Sequence, residues 1–328
     1  MRRAVADPFA YAEAILPELG ADAVRLPRHQ SGNSPQGMTV TMVADYTLRD
    51  RTSLPSGALV ELLTELGNSP SGARTTINRL VRRGVLESER RGRQASYRLS
   101  VPASGSLARG GRRIAGFAAD AESWDGRWTL ITFSLPQQGD AQRRALRARL
   151  RWHGYAPLYD ALWVSPKGLT ERVTDVLAEM GHGTVTAFRS EQLPLPGVPG
   201  RNPLDAWDLD AIAELYGAFL RRWLPIVGSV SAGEIRDSEA VRTRTEVMGT
   251  YRHFSLIDPD LPLSVMPPGW PRTRARELFV ALYDGLAGPA LDHVRHVVAH
   301  HLDGPRPDIR THSVAELLAG IPPANAPY

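Results

Sequence analysis

Ser69-Pro70-Ser71-Gly72-Ala73-Arg74-Thr75-Thr76-Ile77-Asn78-Arg79-Leu80-Val81-Arg82-Arg83-Gly84 carries a complete helix signal, with a start, a core face and a stop. Ser69 is a good helix N-cap, and Pro70 suits the first helical position, where its missing N–H would be unpaired anyway. Gly84 suits the left-handed position that ends a helix. Between them Ala73, Ile77, Leu80 and Val81 recur at i, i+4, i+7 and i+8 and define a core face. Arg74, Thr75, Asn78, Arg79 and Arg82 are left on the outer face.

Working outward, Met38, Val40, Met42, Val43 and Tyr46 make one helix. A second opens at Pro55 or Ser56, with Leu59, Leu62, Leu63 and Leu66 at helical spacing. Gly67-Asn68-Ser69 turns the chain into the third. Beyond it, Val85–Ser88 and Ala95–Leu99 alternate as short strands around Arg90-Arg91-Gly92-Arg93, a hairpin with a basic tip. Three helices, a tight turn and a basic hairpin predict a winged helix-turn-helix. The chemistry suits double-stranded DNA: Arg reads guanine and Asn reads adenine through paired hydrogen bonds, while arginines on a wing reach phosphates or the minor groove. The expected base-contacting or nearby phosphate-contacting residues are Arg74, Thr75, Asn78 and Arg79. Arg82, Arg90, Arg91 and Arg93 are expected to serve mainly the backbone and minor groove.

Charge supports this placement. The 328 residues carry a formal net charge of only +4, with 38 arginines and the single lysine Lys167. Yet Ala73–Arg98 holds eight arginines against two glutamates, so the remainder of the chain is net negative. There is no cysteine, which excludes disulfides, thiolate nucleophiles and cysteine-ligated metals. No stretch approaches the ~18 apolar residues of a membrane span, and the N-terminus lacks the apolar region of a signal peptide. The expectation is a cytoplasmic protein with no membrane association.

Composition breaks suggest three domains. Residues 1–37 run from a short helical pattern into turn chemistry and read as a mobile extension. Pro102–Gly111, rich in Gly, Ser and Ala, and the proline-rich Leu193–Gly200 read as connectors. The expected divisions are 38–100 for the winged helix, 110–192 for a middle domain, 201–303 for a helical C-terminal domain, and 304–328 for a fraying tail. In the middle domain a strand at Trp128–Leu135, a helix at Asp140–His153, strands at Tyr155–Leu158 and Ala161–Val164, a helix at Thr170–Met180 and a strand at Thr184–Arg189 give the ferredoxin-like order βαββαβ. The fold class is therefore α+β and multidomain. Arg143, Arg144, Arg147, Arg149 and Arg151 form a basic run, and the solvated-face reading is weighed above a phosphate-facing one.

The C-terminal block predicts helices at Ala206–Trp223, Ser238–Phe254, Arg272–Leu286 and Pro289–His301, with a stiff Pro/Trp loop between two of them. Asp292, His296 and His300 share a helix face beside His293 and His301. A polar face outweighs a zinc site there, because a three-ligand site needs a supporting second shell. Phosphate-binding loop, nucleophile-elbow, His-Glu-x-x-His and dinucleotide-binding motifs are all absent, so no enzyme is expected.

Taken together, these residues resemble the PaaX family of repressors of phenylacetic acid catabolism, over about residues 38–290. The matching segments are Ala44-Asp45-Tyr46-Thr47-Leu48, Ala73-Arg74-Thr75, Arg79-Leu80-Val81-Arg82-Arg83-Gly84, Gly92-Arg93 and Tyr97-Arg98-Leu99. They continue with Trp124-Asp125-Gly126-Arg127-Trp128, Leu150-Arg151-Trp152-His153-Gly154-Tyr155 and Leu162-Trp163-Val164-Ser165-Pro166. Tyr251-Arg252, Asp258-Pro259-Asp260-Leu261-Pro262 and Pro268-Gly269-Trp270-Pro271 complete them.

The resemblance implies a homodimeric repressor released from its operator by an aryl-acyl-CoA such as phenylacetyl-CoA, with no cofactor. It also singles out Trp124, Arg127, Tyr251, Arg252, Asp258 and Trp270 as candidate ligand contacts. Gly249-Thr250 stand where the family commonly carries a histidine, which leaves a different acyl-CoA or small acid open as effector. Activation instead of repression also stays open, as does, more remotely, a nucleotide-binding enzyme. A nuclease of similar middle fold places a metal-binding Asp at the end of its first strand. Here Phe133-Ser134-Leu135-Pro136 offers no carboxylate.

Overall fold

The computed structural model describes residues 34–91, 94–119, 124–134, 140–178, 184–193, 196–197, 200–302 and 304–321. The fold is α+β, and its contacts divide it into two units. One comprises Asp120–Ala218 and Phe254–Thr273; the other comprises residues 34–119, 219–253 and 274–321.

The second unit opens with α1 (Pro35–Thr47), buried on all sides from Gly37 onward. The helix starts three residues before the expected Met38, because Ser34 accepts a hydrogen bond from the Gly37 amide (3.1 Å) and Pro35 occupies the first turn. The expected mobile segment before it otherwise lies outside the described residues. The short strand β1 (Leu54–Pro55) leads into α2 (Ser56–Glu65) and α3 (Pro70–Arg82). Strands β2 (Leu86–Arg91) and β3 (Gln94–Leu99) form an antiparallel hairpin, and β3 is central in a sheet of order β1-β3-β2.

The expected connector at Pro102–Gly111 is instead inside a sixteen-residue helix, α4 (Val101–Gly116). Ser100 caps it by accepting from the Ala103 amide (3.2 Å), and Pro102 sits in its first turn. Its glycines lower intrinsic helix propensity, but tertiary packing overrides that loss. A Cβ at Gly111 would approach Leu317 Cδ2 to 2.8 Å, so the missing side chain makes room for a neighbour.

In the other unit, β4 (Trp128–Ser134), α5 (Asp140–Trp152), β5 (Ala156–Tyr159), β6 (Leu162–Ser165), α6 (Glu171–Ala178) and β7 (Thr184–Ser190) follow in the order βαββαβ. The antiparallel sheet has order β5-β6-β4-β7, with Ile131 opposite Trp163 on one side and Ala187 on the other. One core joins Ile131, Leu146, Leu150, Tyr155, Trp163, Val173 and Val176. Another joins Trp128, Leu158 and Val164, with Trp124, Leu204 and Trp207 packed against it.

The remainder of the chain is helical: α7 (Leu209–Trp223), α8 (Val227–Ser231), α9 (Asp237–Ile257), α10 (Arg272–Gly285), α11 (Ala287–His300) and α12 (Val314–Ala319). The last of these corrects the expectation of a fraying tail. Ser313 and Glu316 form a reciprocal capping box, and Val314 and Leu317 are buried. Residues 322–328 lie outside the described set. No helix among the described residues is long and apolar enough to cross a membrane.

Candidate nucleic-acid interface

The geometry of α3 follows from its two ends. Ser69 accepts a hydrogen bond from the Gly72 amide (3.1 Å), and Gly84 adopts φ 69°, the left-handed region glycine enters without a Cβ penalty. Ala73, Thr76, Ile77 and Leu80 are buried, with Thr76 joining the expected core face and Val81 only half-buried. Arg74, Thr75, Asn78, Arg79, Arg82 and Arg83 all face solvent. Thr75 bonds back to the Ser71 carbonyl (2.9 Å), while the Asn78 side chain is left outward.

The hairpin holds its own acids. Glu87 pairs with Arg51 and Arg98, both at 3.0 Å, and Glu89 pairs with Arg98 at 2.5 Å and accepts from Ser53 at 2.9 Å. Among the described residues, no carboxylate lies within ion-pairing distance of Arg74, Arg79, Arg82, Arg83 or Arg90. Arg90 is exposed on β2. Arg91 belongs to the same strand, and Arg93 lies outside the described residues. The arrangement presents an outward helix of uncompensated cations beside a strand that exposes Arg90, with the strand's two acids engaged by Arg51 and Arg98.

Two sets of contacts hold this surface in place, and both went unseen in the sequence. On α2, Glu65 meets His293 Nε2 at 2.9 Å and Glu61 meets His301 Nε2 at 2.6 Å. A Cβ at Gly57 would collide with the His301 ring, so that glycine lets α11 approach. These histidines therefore serve helix packing. Asp292 and His296 are exposed, and His300 bonds the His296 carbonyl at 2.9 Å. No group of three or more His, Asp or Glu among the described residues is placed to hold a metal ion.

The second set surrounds α1. Arg244 of α9 is fully buried, 3.9 Å from Asp45 Oδ2, with its guanidinium 3.6 Å from the Tyr283 ring centroid. Tyr283 donates to Asp45 Oδ1 at 2.7 Å and lies 3.0 Å from His312 Nε2. Burial pushes the Asp45 carboxyl up to about 6 against the pull of Arg244. Burial, with Arg244 adding to it, pushes His312 down to about 3. A visible signal existed for Asp45: it is the only charged residue in the thirteen of α1. Arg244 carried none, since an arginine in an amphipathic helix reads as surface.

The six candidate ligand contacts do not converge within either unit. Tyr251 is buried, stacks on Phe279 at 4.0 Å between centroids and reaches the Phe117 carbonyl at 3.4 Å. Arg252 donates to Thr41 Oγ1 at 2.8 Å, and burial lowers it to about 10. Both are tied into the unit that carries α1–α3.

The other four lie in the βαββαβ unit. Trp124 donates to the Arg127 carbonyl at 2.8 Å and packs edge-on against Trp128. Arg127 is exposed beside Glu191. Asp258 accepts from Tyr216 Oη (2.7 Å), Trp270 Nε1 (3.3 Å) and Arg272 Nη1 (3.4 Å), so it pins the Pro/Trp loop from inside. Lys167 pairs with Asp260 of the same loop at 3.2 Å.

With this geometry in view, comparison with known proteins gives a consistent result. Residues 34–103 match the family model described as PaaX-like protein, 121–198 the PaaX protein central Cas2-like domain, and 207–296 the PaaX-like protein C-terminal domain. The three matches follow in order and together cover well over half of the chain, which belongs to the PaaX family. A relative of similar length, the transcriptional repressor PaaX of Escherichia coli strain K12, is 29% identical over 243 residues, 72% of this chain and 75% of that protein. Among solved structures, the uncharacterized protein Rv0674 from Mycobacterium tuberculosis is 22% identical, with a TM-score of 0.48, covering 74% of this chain and 91% of that one.

Proposed function

We propose that this chain is a DNA-binding transcriptional repressor. The observation that carries the reading is the outward row of Arg74, Asn78, Arg79, Arg82 and Arg83 on α3, beside a hairpin whose glutamates are already paired. On this reading α1–α3 and β1–β3, residues 38–100, are a winged helix-turn-helix with α3 in the major groove. Residues 110–192 are a ferredoxin-like middle domain, in keeping with the sheet order β5-β6-β4-β7. Residues 201–303 form a helical effector or dimer domain. A two-fold dimer places its two copies of α3 in successive major grooves, about 34–36 Å apart, on a roughly palindromic operator.

The test is fluorescence anisotropy with a duplex selected from a randomised pool by the wild-type chain. Replacing Arg79 by Ala removes a base contact worth about 1–3 kcal/mol and relaxes specificity. Unchanged affinity for the selected duplex overturns the assignment of α3.

The effector reading is an aryl-acyl-CoA that favours a dimer geometry of the wrong spacing, with leverage set by its differential affinity for the two states. Its proposed contacts are Trp124, Arg127, Asp258 and Trp270 in the βαββαβ unit, or Tyr251 and Arg252 in the other. Titrating the complex with phenylacetyl-CoA is expected to release the duplex, with phenylacetate inert. An equal effect of the free acid, or none of either, refutes this effector.

A further inference from the structure

Residues 305–321 lie beyond the matched C-terminal family domain, yet they contact the α1–β1 loop, α4, α9, α10 and α11 of the unit that carries α3. Their Asp308 carbonyl accepts from Thr52 Oγ1 (2.8 Å), and Glu316 pairs with Arg49 (2.6 Å), so both contacts fall between α1 and β1. The α11 side is held by Arg295, which donates to the Ile309 carbonyl at 2.8 Å. The α10 side is held by Asp284, which accepts from the Val314 amide at 2.9 Å. Then α12 closes on α4, with Leu317 in the space left by Gly111 and Leu318 beside Gly116. Helix α4 follows β3 after a single residue, so one segment grips the chain on either side of β1–β3.

At the centre sits Arg244. Its Nη2 donates to Thr311 Oγ1 (2.8 Å) and the His312 carbonyl (2.6 Å), and its Nη1 donates to the Tyr283 carbonyl. One planar cation thus joins α9, α10, the segment and, through Asp45, α1. Only a guanidinium presents that fork of donors; a lysine ammonium does not. Burying a full charge is costly unless its partners are fixed, so the arrangement has few alternative geometries.

We infer that residues 308–317 are an internal brace that fixes the orientation of the α1–β3 block on α9–α11, with Arg244 its positioning residue. The inference rests on the proposed DNA-reading role of α3. A reader on a two-fold operator needs its recognition helix held at a set angle, because the half-site spacing is fixed by the duplex. Loosening the brace therefore removes discrimination between sequences while leaving phosphate attraction intact.

The test uses the full chain carrying Leu317→Ala, which unseats α12, or Arg244→Met, which removes the fork at similar volume. Each is measured by anisotropy on the wild-type-selected duplex and on a scrambled duplex, with circular dichroism to confirm folding. Both variants are expected to lose on the order of tenfold on the selected duplex, a usual size for coupling between two parts of one molecule. Affinity for the scrambled duplex stays unchanged.

A selected-duplex affinity within about twofold of wild type overturns the brace, as does an equal loss on both duplexes. If Arg244→Met does not fold, Leu317→Ala decides alone. Arg79→Ala runs in parallel. If the wild-type chain selects no duplex, the DNA reading falls and the brace falls with it. If Arg79→Ala loses the duplex while Leu317→Ala keeps it, only the brace falls.

Discussion

Asp45 opposes the acid response that two buried histidines give the chain. It faces Arg244 at 3.9 Å, Tyr283 at 2.7 Å and His312 at 3.7 Å, with Tyr46 and Arg252 close by. Its folded pKa of about 6 lies above the ordinary 3.8, so between those values the folded chain holds a proton the unfolded chain has lost. Alone, that makes stability fall as pH rises from about 4 to 6. Burial acts oppositely on two histidines, pushing His312 to about 3 and His253 to about 4 from the ordinary 6.5. For each, the unfolded state is the more protonated, so stability rises with pH between the folded value and 6.5. In the shared window Asp45, joined by Asp284, whose carboxyl burial also raises, works against the two histidines; the histidine windows span the range in full, and the predicted net effect is a rise in stability from about pH 4 to 6. Removing one opposing group by Asp45→Asn steepens that rise. Urea midpoints measured at several pH values check both statements; a wild-type profile that falls across the window contradicts them.

At the level of elements, apolar periodicity located most of the structure within a few residues. Helices α2, α3, α9, α10 and α11 and strands β4–β7 follow directly from their spacing, as does the outward set on α3. What periodicity missed were elements whose stability comes from a distant partner. Residues 102–111 carry three glycines and two serines, a composition that reads as a connector, yet they are helical because α12 fills the space beside Gly111. The tail's prolines suggested fraying, although Ser313-Val314-Ala315-Glu316 is a capping-box pattern visible in the sequence. Arg244 and Asp45 escaped for the same reason: a buried charge is rare, and only the fold brings its partners together. The outer face of α3 was readable because an angle around one helix is a local property. The brace behind it depends on contacts between residues as far apart as Asp45 and Tyr283.

On the scale of the whole molecule, the charge is focused instead of spread. The chain's formal charge of +4 is smaller than the excess within Ala73–Arg98 alone, and there the two glutamates are consumed by Arg51 and Arg98. An evenly basic protein binds any polyanion with a steep salt dependence. A focused one neutralises few phosphates and depends more on base contacts. Each phosphate neutralised contributes about 0.9 to the slope of log K against log salt. If Arg91 meets the backbone, Arg91→Ala lowers the magnitude of that slope by about 1 for each protomer bound and weakens selected and scrambled duplexes alike. Arg79→Ala instead weakens the selected duplex far more than the scrambled one. Anisotropy titrations over a series of salt concentrations separate the two residues: matching slope changes and matching losses on both duplexes would mean that α3 and the hairpin do the same electrostatic work, and that sequence is read elsewhere.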